Sequence, residues 1–184
     1  MTNFFRMFPY SRHFVNWGIT IFSVIFCVVI LPSRLPGMEL LGIGPNWPLI
    51  WVVVWSIRRK RTLMAAIVGG LILGFLQDSM TASWPSHAVS LVFVAIVTIL
   101  LQKMRSIPSE VIEKDPIPIA LIVFGMAVIA ETMMAFQFSW IGGRSLVEIW
   151  TDHQRVALCS AILSSLWAPV IYFPLNRLWD VTHG

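Results

Sequence analysis

The chain has 184 residues, of which 57% are apolar and only 12% are charged, and its formal net charge is +4. Soluble domains carry roughly a quarter charged residues, so the composition excludes an ordinary soluble domain and identifies an integral membrane protein. The basic residues sit in short clusters between apolar segments, not on one face or stripe, which argues against nucleic acid as a partner.

A helix needs ~17–25 residues to cross the hydrocarbon, and on that measure six apolar runs are candidate spans. The first, Phe14–Leu31, exceeds the ~7–15-residue apolar core of a signal peptide and precedes Pro32 and Pro36 with no small-residue cleavage site, so it is expected to stay as a span. The second, Leu40–Ile57, is interrupted near its start by Gly42, Gly44, Pro45 and Pro48. Arg58, Arg59, Lys60 and Arg61 then demand a water-facing turn, because four adjacent cations are very costly to insert. The third span is Thr62–Gln77 and the fourth Ala88–Gln102, followed by the polar loop Lys103–Pro116. The fifth is Ile117–Phe138. In the segment Ser139–Arg155, Ser145 and Glu148 form a possible capping box, and Leu146, Ile149 and Trp150 share one helical face. That pattern fits a short helix on the membrane surface, or a simple loop anchored by one tryptophan. Val156–Leu175 is the sixth span.

An even number of spans puts both termini on one side. With that side cytoplasmic, Arg6, Arg12, Arg58, Arg59, Lys60, Arg61, Lys103, Arg105, Lys114 and Arg177 lie inside, and only Arg34, Arg144 and Arg155 outside. This is the distribution that the positive-inside rule requires. Trp17, Trp55 and Trp179 fall near the inner interface and Trp47, Trp84 and Trp140 near the outer one, whereas Trp167 lies mid-span and is expected to pack against a helix or lipid. Cys27 and Cys159 fall within predicted spans and say little about redox compartment. The expected architecture is all-α: one transmembrane bundle of six helices occupying residues 1–184.

Few residues are candidates for chemistry. Ala66, Gly70 and Gly74 recur every four residues and form a helix-packing seam, and Ala157, Ala161 and Ser165 form a second small-residue row. No P-loop Lys-Ser/Thr pair follows the glycines, so they do not cradle phosphate. Asp78 closes the third span and His87 opens the fourth, so a hairpin brings them together, either as a capping and turn-stabilising cluster or as a contact for a ligand or partner. One His and one Asp are too few ligands for a metal. Glu131 falls between Ala127 and Ala135, about 10 Å inside the fifth span at 1.5 Å per residue. It must face the protein interior or a polar cavity, or be protonated. There is no HExxH helix and no Gly-x-Ser-x-Gly elbow, and Ser160, Ser164 and Ser165 have no placed base, so no catalytic set, metal or cofactor is expected.

One stretch carries a family resemblance. Trp47-Pro48-Leu49-Ile50-Trp51 through Trp55, a basic turn, a glycine-rich span closing on Gly74-Phe75-Leu76-Gln77-Asp78, and then His87-Ala88-Val89 resemble the rod shape-determining protein MreD family. Asp78 matches the Asp that ends the family's glycine-rich run, and His87-Ala88 match its His-Ala pair. Trp84-Pro85 stand where the family usually has Leu-Gly, which puts the turn geometry outside what the resemblance carries. The topology as a whole fits, and the specific motif lies within Trp47–Lys103. The resemblance implies a non-enzymatic, multi-pass subunit of the bacterial inner membrane within the cell-elongation machinery. Its implied partners are MreC, MreB filaments, and the glycosyltransferase and transpeptidase of lateral-wall peptidoglycan synthesis. It also implies a fold similar to the substrate-binding component of energy-coupling-factor vitamin transporters, which is the alternative function. On that alternative Asp78, His87 and Glu131 would line a solute pocket; on the first they form a partner-facing rim.

Overall fold

The computed structural model describes residues 9–32, 37–57, 62–81, 85–104, 115–143 and 145–183. Within them the chain forms six helices: α1 (Pro9–Ile30), α2 (Trp47–Ile57), α3 (Leu63–Met80), α4 (His87–Met104), α5 (Pro116–Gly142) and α6 (Leu146–His183). Four of these, α3 to α6, are long and apolar enough to cross a membrane, which makes the chain a multi-pass membrane protein. Large apolar side chains point away from the bundle on α1, α3, α5 and α6, among them Phe22, Phe75, Leu121 and Leu166, each more than 60% exposed. In water such a surface would drive aggregation; against lipid tails it is well solvated. Arg58, Arg59, Lys60 and Arg61, on which the orientation argument turns, lie outside the described residues.

The second helix departs from the expected span. Only Trp47–Ile57 is helical, 11 residues or about 16 Å, roughly half the hydrocarbon thickness. Ahead of it, Leu40 and Ile43 exchange backbone hydrogen bonds of 2.9 and 3.0 Å around a tight turn in which Leu41 and Gly42 take positive φ. The Gly42, Gly44 and Pro45 noted in the sequence are what end the helical pattern. Asn46 starts the helix instead: its Oδ1 accepts from Leu49 N at 3.1 Å, and its own N–H donates to Ser164 Oγ at 2.9 Å, tying the turn to α6. Every residue of α2 is buried. It forms the pillar of the bundle, in contact with α1, α3, α4, α5 and α6. Its Trp51 and Trp55 rings stack at 5.2 Å, and Trp51 Nε1 donates to Ser23 Oγ of α1 at 2.9 Å, which satisfies a polar hydrogen in an apolar core.

Around this pillar stand two antiparallel hairpins, α3–α4 and α5–α6, which share the most extensive interfaces. The small residues of α3 explain the closeness of the first. A Cβ at Gly74 would collide with the backbone of Ala88, and one at Gly70 would lie 3.1 Å from the carbonyl of Leu91. Ala66 is fully buried in the same row. Gly69, on the neighbouring face, receives the Trp55 ring: an added Cβ there would stand 2.8 Å from it. The third span is therefore small on two faces, one for α4 and one for the pillar.

The sixth helix corrects the reading of Ser139–Arg155. There is neither a separate surface helix nor a simple loop: α5 runs on to Gly142, Gly143 reverses the chain at φ +64°, and α6 starts at Leu146 and continues for 38 residues, or about 57 Å. Ser145 caps it, its Oγ accepting from Glu148 N at 3.3 Å. Pro169 and Pro174 each remove one N–H from its ladder. Trp167, mid-helix, packs edge-on against Trp47 at 5.7 Å. Trp179, placed by the sequence near an interface, is 1% exposed.

Replacing Gly74 by Leu should force α3 and α4 apart and lower stability by about 1–3 kcal/mol or more, read as an earlier unfolding midpoint in detergent micelles. Gly125→Ala, where an added Cβ meets nothing within 4 Å, should leave the midpoint unchanged.

Candidate functional site

A first group of polar side chains gathers where the α3–α4 hairpin reverses. Asp78 lies in the last turn of α3 and His87 opens α4. The carboxylate reaches across the turn with both oxygens: Oδ1 accepts from His87 N at 2.7 Å and pairs with His87 Nδ1 at 2.7 Å, and Oδ2 accepts from Ser86 Oγ at 2.7 Å. Ser86 Oγ in turn accepts from Ala88 N at 3.2 Å. The opening N–H groups of α4, which have no intrahelical acceptor, are thus met by a carboxylate that also complements the positive end of the helix dipole. Its side chain is 10% exposed, so little water competes for these bonds.

Gln137 of α5 extends the cluster to a third helix. Its Oε1 accepts from Ser86 N at 3.0 Å, while its Nε2 donates to Ser86 O at 3.2 Å and, more weakly, to Ser90 Oγ at 3.4 Å. Both backbone groups of one turn residue are satisfied by one amide side chain. Ser86 donates its hydroxyl hydrogen to the carboxylate and not to the imidazole, so Ser86, His87 and Asp78 form a cap rather than a nucleophile with its base.

Glu131 is the second ionisable centre. It lies 11 residues before the end of α5, about 16 Å along the helix, and Oε2 pairs with His153 Nε2 of α6 at 2.9 Å. The partners' side chains are 14% and 26% exposed. An unpaired carboxylate at that depth would be costly, and the imidazole offers it a partner whether neutral or protonated.

Between the two pairs is a cavity of about 170 Å³, bordered by the polar side chains of Asn46, Gln77, His87, Ser90, Glu131 and His153. Gln77 is 7% exposed, and its Oε1 has no hydrogen-bond partner among the described residues. A buried acceptor without a donor costs about 1–3 kcal/mol. On the other side of the α3–α4 hairpin, Leu71, Phe75, Val89, Val92 and Phe93 line an apolar groove of about 690 Å³ that ends at Asp78 and Ser86. So His87 and Glu131 share one cavity, whereas Asp78 borders the groove behind it. Among the described residues, no three His, Cys, Asp or Glu side chains are grouped so as to hold a metal ion. Cys27 and Cys159 are both free and buried.

Sequence reasoning missed Ser86, Gln137 and His153 as members of the site. A signal for His153 was available, since residues paired across a tight hairpin sum to a near-constant number. With the turn at Gly142-Gly143, Glu131 meets the residue about 22 positions on, which is His153. Treating Ser139–Arg155 as a separate segment hid that symmetry. Compared with protein families, curated proteins and solved structures, the chain matches none.

Asp78→Ala strands the donors of Ser86 and His87 in a partly buried turn, and should lower stability by about 1–3 kcal/mol. Reversible unfolding in mixed micelles measures this, and Ser79→Ala, whose hydroxyl donates to Leu76 O of its own helix, is the matched control.

Proposed function

We propose that the chain is a non-enzymatic membrane subunit of the bacterial cell-elongation complex, a six-span protein of the cytoplasmic membrane with both termini inside. In this role it scaffolds lateral peptidoglycan synthesis through MreC, with MreB, the glycosyltransferase and the transpeptidase in the same assembly. The resemblance of Trp47–Lys103 to the MreD family supports the reading.

The observation that carries it is the groove on α3–α4. It is apolar, about 690 Å³, and borders half-exposed Phe75 and Val89 on the hairpin that bears the resembling motif. In a bilayer, helices associate by packing shape against shape, and a groove with protruding side chains on its rim suits a partner's transmembrane helix. Asp78, Ser86 and His87 of the same hairpin are engaged with one another, which suits a rigid docking element better than a reacting site.

The alternative reading, a substrate-binding component of an energy-coupling-factor type vitamin transporter, draws on the polar cavity at His87 and Glu131. Pockets for drug-sized ligands run about 300–1,000 Å³, and this one is about 170 Å³. A vitamin does not fit it, so the scaffold reading is preferred.

Photo-crosslinking in native membranes tests the choice. A crosslinking side chain at Phe75 or Val89 should capture a membrane-spanning segment of an elongation-complex protein, while one at Leu121, equally apolar and 65% exposed on α5, should not. Adducts of equal yield from all three positions, or none with protein from the groove, would refute the docking role.

A further inference from the structure

The cavity between the two acid–imidazole pairs has a composition that the scaffold reading does not use. Its volume, about 170 Å³, is close to the ~150 Å³ of an engineered cavity that takes benzene, so it has room for about six non-hydrogen atoms. Its walls are of two kinds. Leu91, Ala130, Met134 and Val156 are apolar. Also lining it are Gln77, whose Oε1 has no partner among the described residues, and Glu131, whose pairing with His153 engages Oε2 and not Oε1.

Charge narrows the ligand class. Neither Lys nor Arg lines the cavity among the described residues. The charged groups that face it or back it are Glu131 with His153 and, behind His87, Asp78. Two carboxylates and two imidazoles make up this set, with no permanently charged cation among them. An anion meets no fixed cation there, and a purely apolar guest leaves Gln77 unsatisfied. His87 and His153, which also line the cavity, have side chains 23% and 26% exposed.

We infer that this cavity is a binding site for a small organic cation, a primary ammonium on a short apolar body, with the ammonium donating to Gln77 Oε1 and Glu131 and the body against Leu91, Met134 and Val156. The inference is independent of the scaffold reading, since it concerns the inner side of the hairpin and not the groove.

The two adjacent methionines give the test. Met134 borders the cavity and Met133 borders the groove, so in full-length protein with methyl-labelled methionines in lipid nanodiscs each reports on one site. Butylammonium chloride should shift the Met134 methyl resonance saturably, with a Kd on the order of 1 mM for so small a ligand, and leave Met133 in place. Sodium butyrate, of matched length and opposite charge, should leave both in place. Gln77→Leu should weaken the butylammonium response about tenfold or more. The site is overturned if the Met134 shift does not saturate, if Met133 moves with it as general partitioning would require, or if butyrate acts equally. Because the butylammonium and butyrate comparison uses the unmodified chain, it decides the matter even if Gln77→Leu fails to fold.

Discussion

The architecture depends on the contact at which α3 and α4 meet backbone to backbone. Gly74 lies so close to Ala88 that no side chain fits between them, and Gly70 stands nearly as close to Leu91. Lipid gives helices no hydrophobic reason to associate, so close approach of backbones is the attractive term that remains. The contact sits a few residues from the ends of both helices, and this proximity lets a carboxylate on one helix reach the first N–H groups of the next. The Asp78 cap is a consequence of the glycine seam, and in turn it locks the seam's register. Gln137 carries the order onward by holding Ser86 from α5.

A short buried helix completes the frame. Because α2 is buried all round and only about half a bilayer long, it cannot be a lipid-facing span, and the other helices must enclose it. Trp55 fills the space that Gly69 of α3 leaves open, and Trp51 stacks on it. The hairpins on either side of this pillar then present their polar residues to each other rather than to lipid. This is how two acid–imidazole pairs come to border one small cavity in a protein with so few charged residues.

Much of this was legible from residue type and spacing. The apolar runs of α3 to α6 fall within their helices, the row Ala66, Gly70 and Gly74 predicts a close helix contact, and Asp78 with His87 predicts a meeting across the turn. What failed had physical reasons. The predicted span Leu40–Ile57 counted apolar residues through a Gly and Pro cluster whose backbone preferences end the helix. The segment Ser139–Arg155 looked amphipathic over a few turns, yet it is the tail of one long helix and the head of another. In one dimension a polar stripe on a helix end resembles a surface helix. Gln137 carries no charge and no motif, so only its hydrogen bonds to Ser86 distinguish it.

Both proposals rest on the α3–α4 hairpin. One face of it is an apolar groove suited to a neighbouring helix, the other a polar cavity suited to a small guest, and between them runs the glycine seam closed by Asp78. Amide hydrogen exchange in lipid nanodiscs measures that closure most directly. The His87 amide, although at the very start of its helix, should exchange as slowly as amides in the interior of α4, and Asp78→Asn should accelerate it while leaving Val94 and Ala95 unchanged. Exchange of the wild-type His87 amide at the rate of an open turn would mean that the carboxylate does not cap the helix, and would contradict the account.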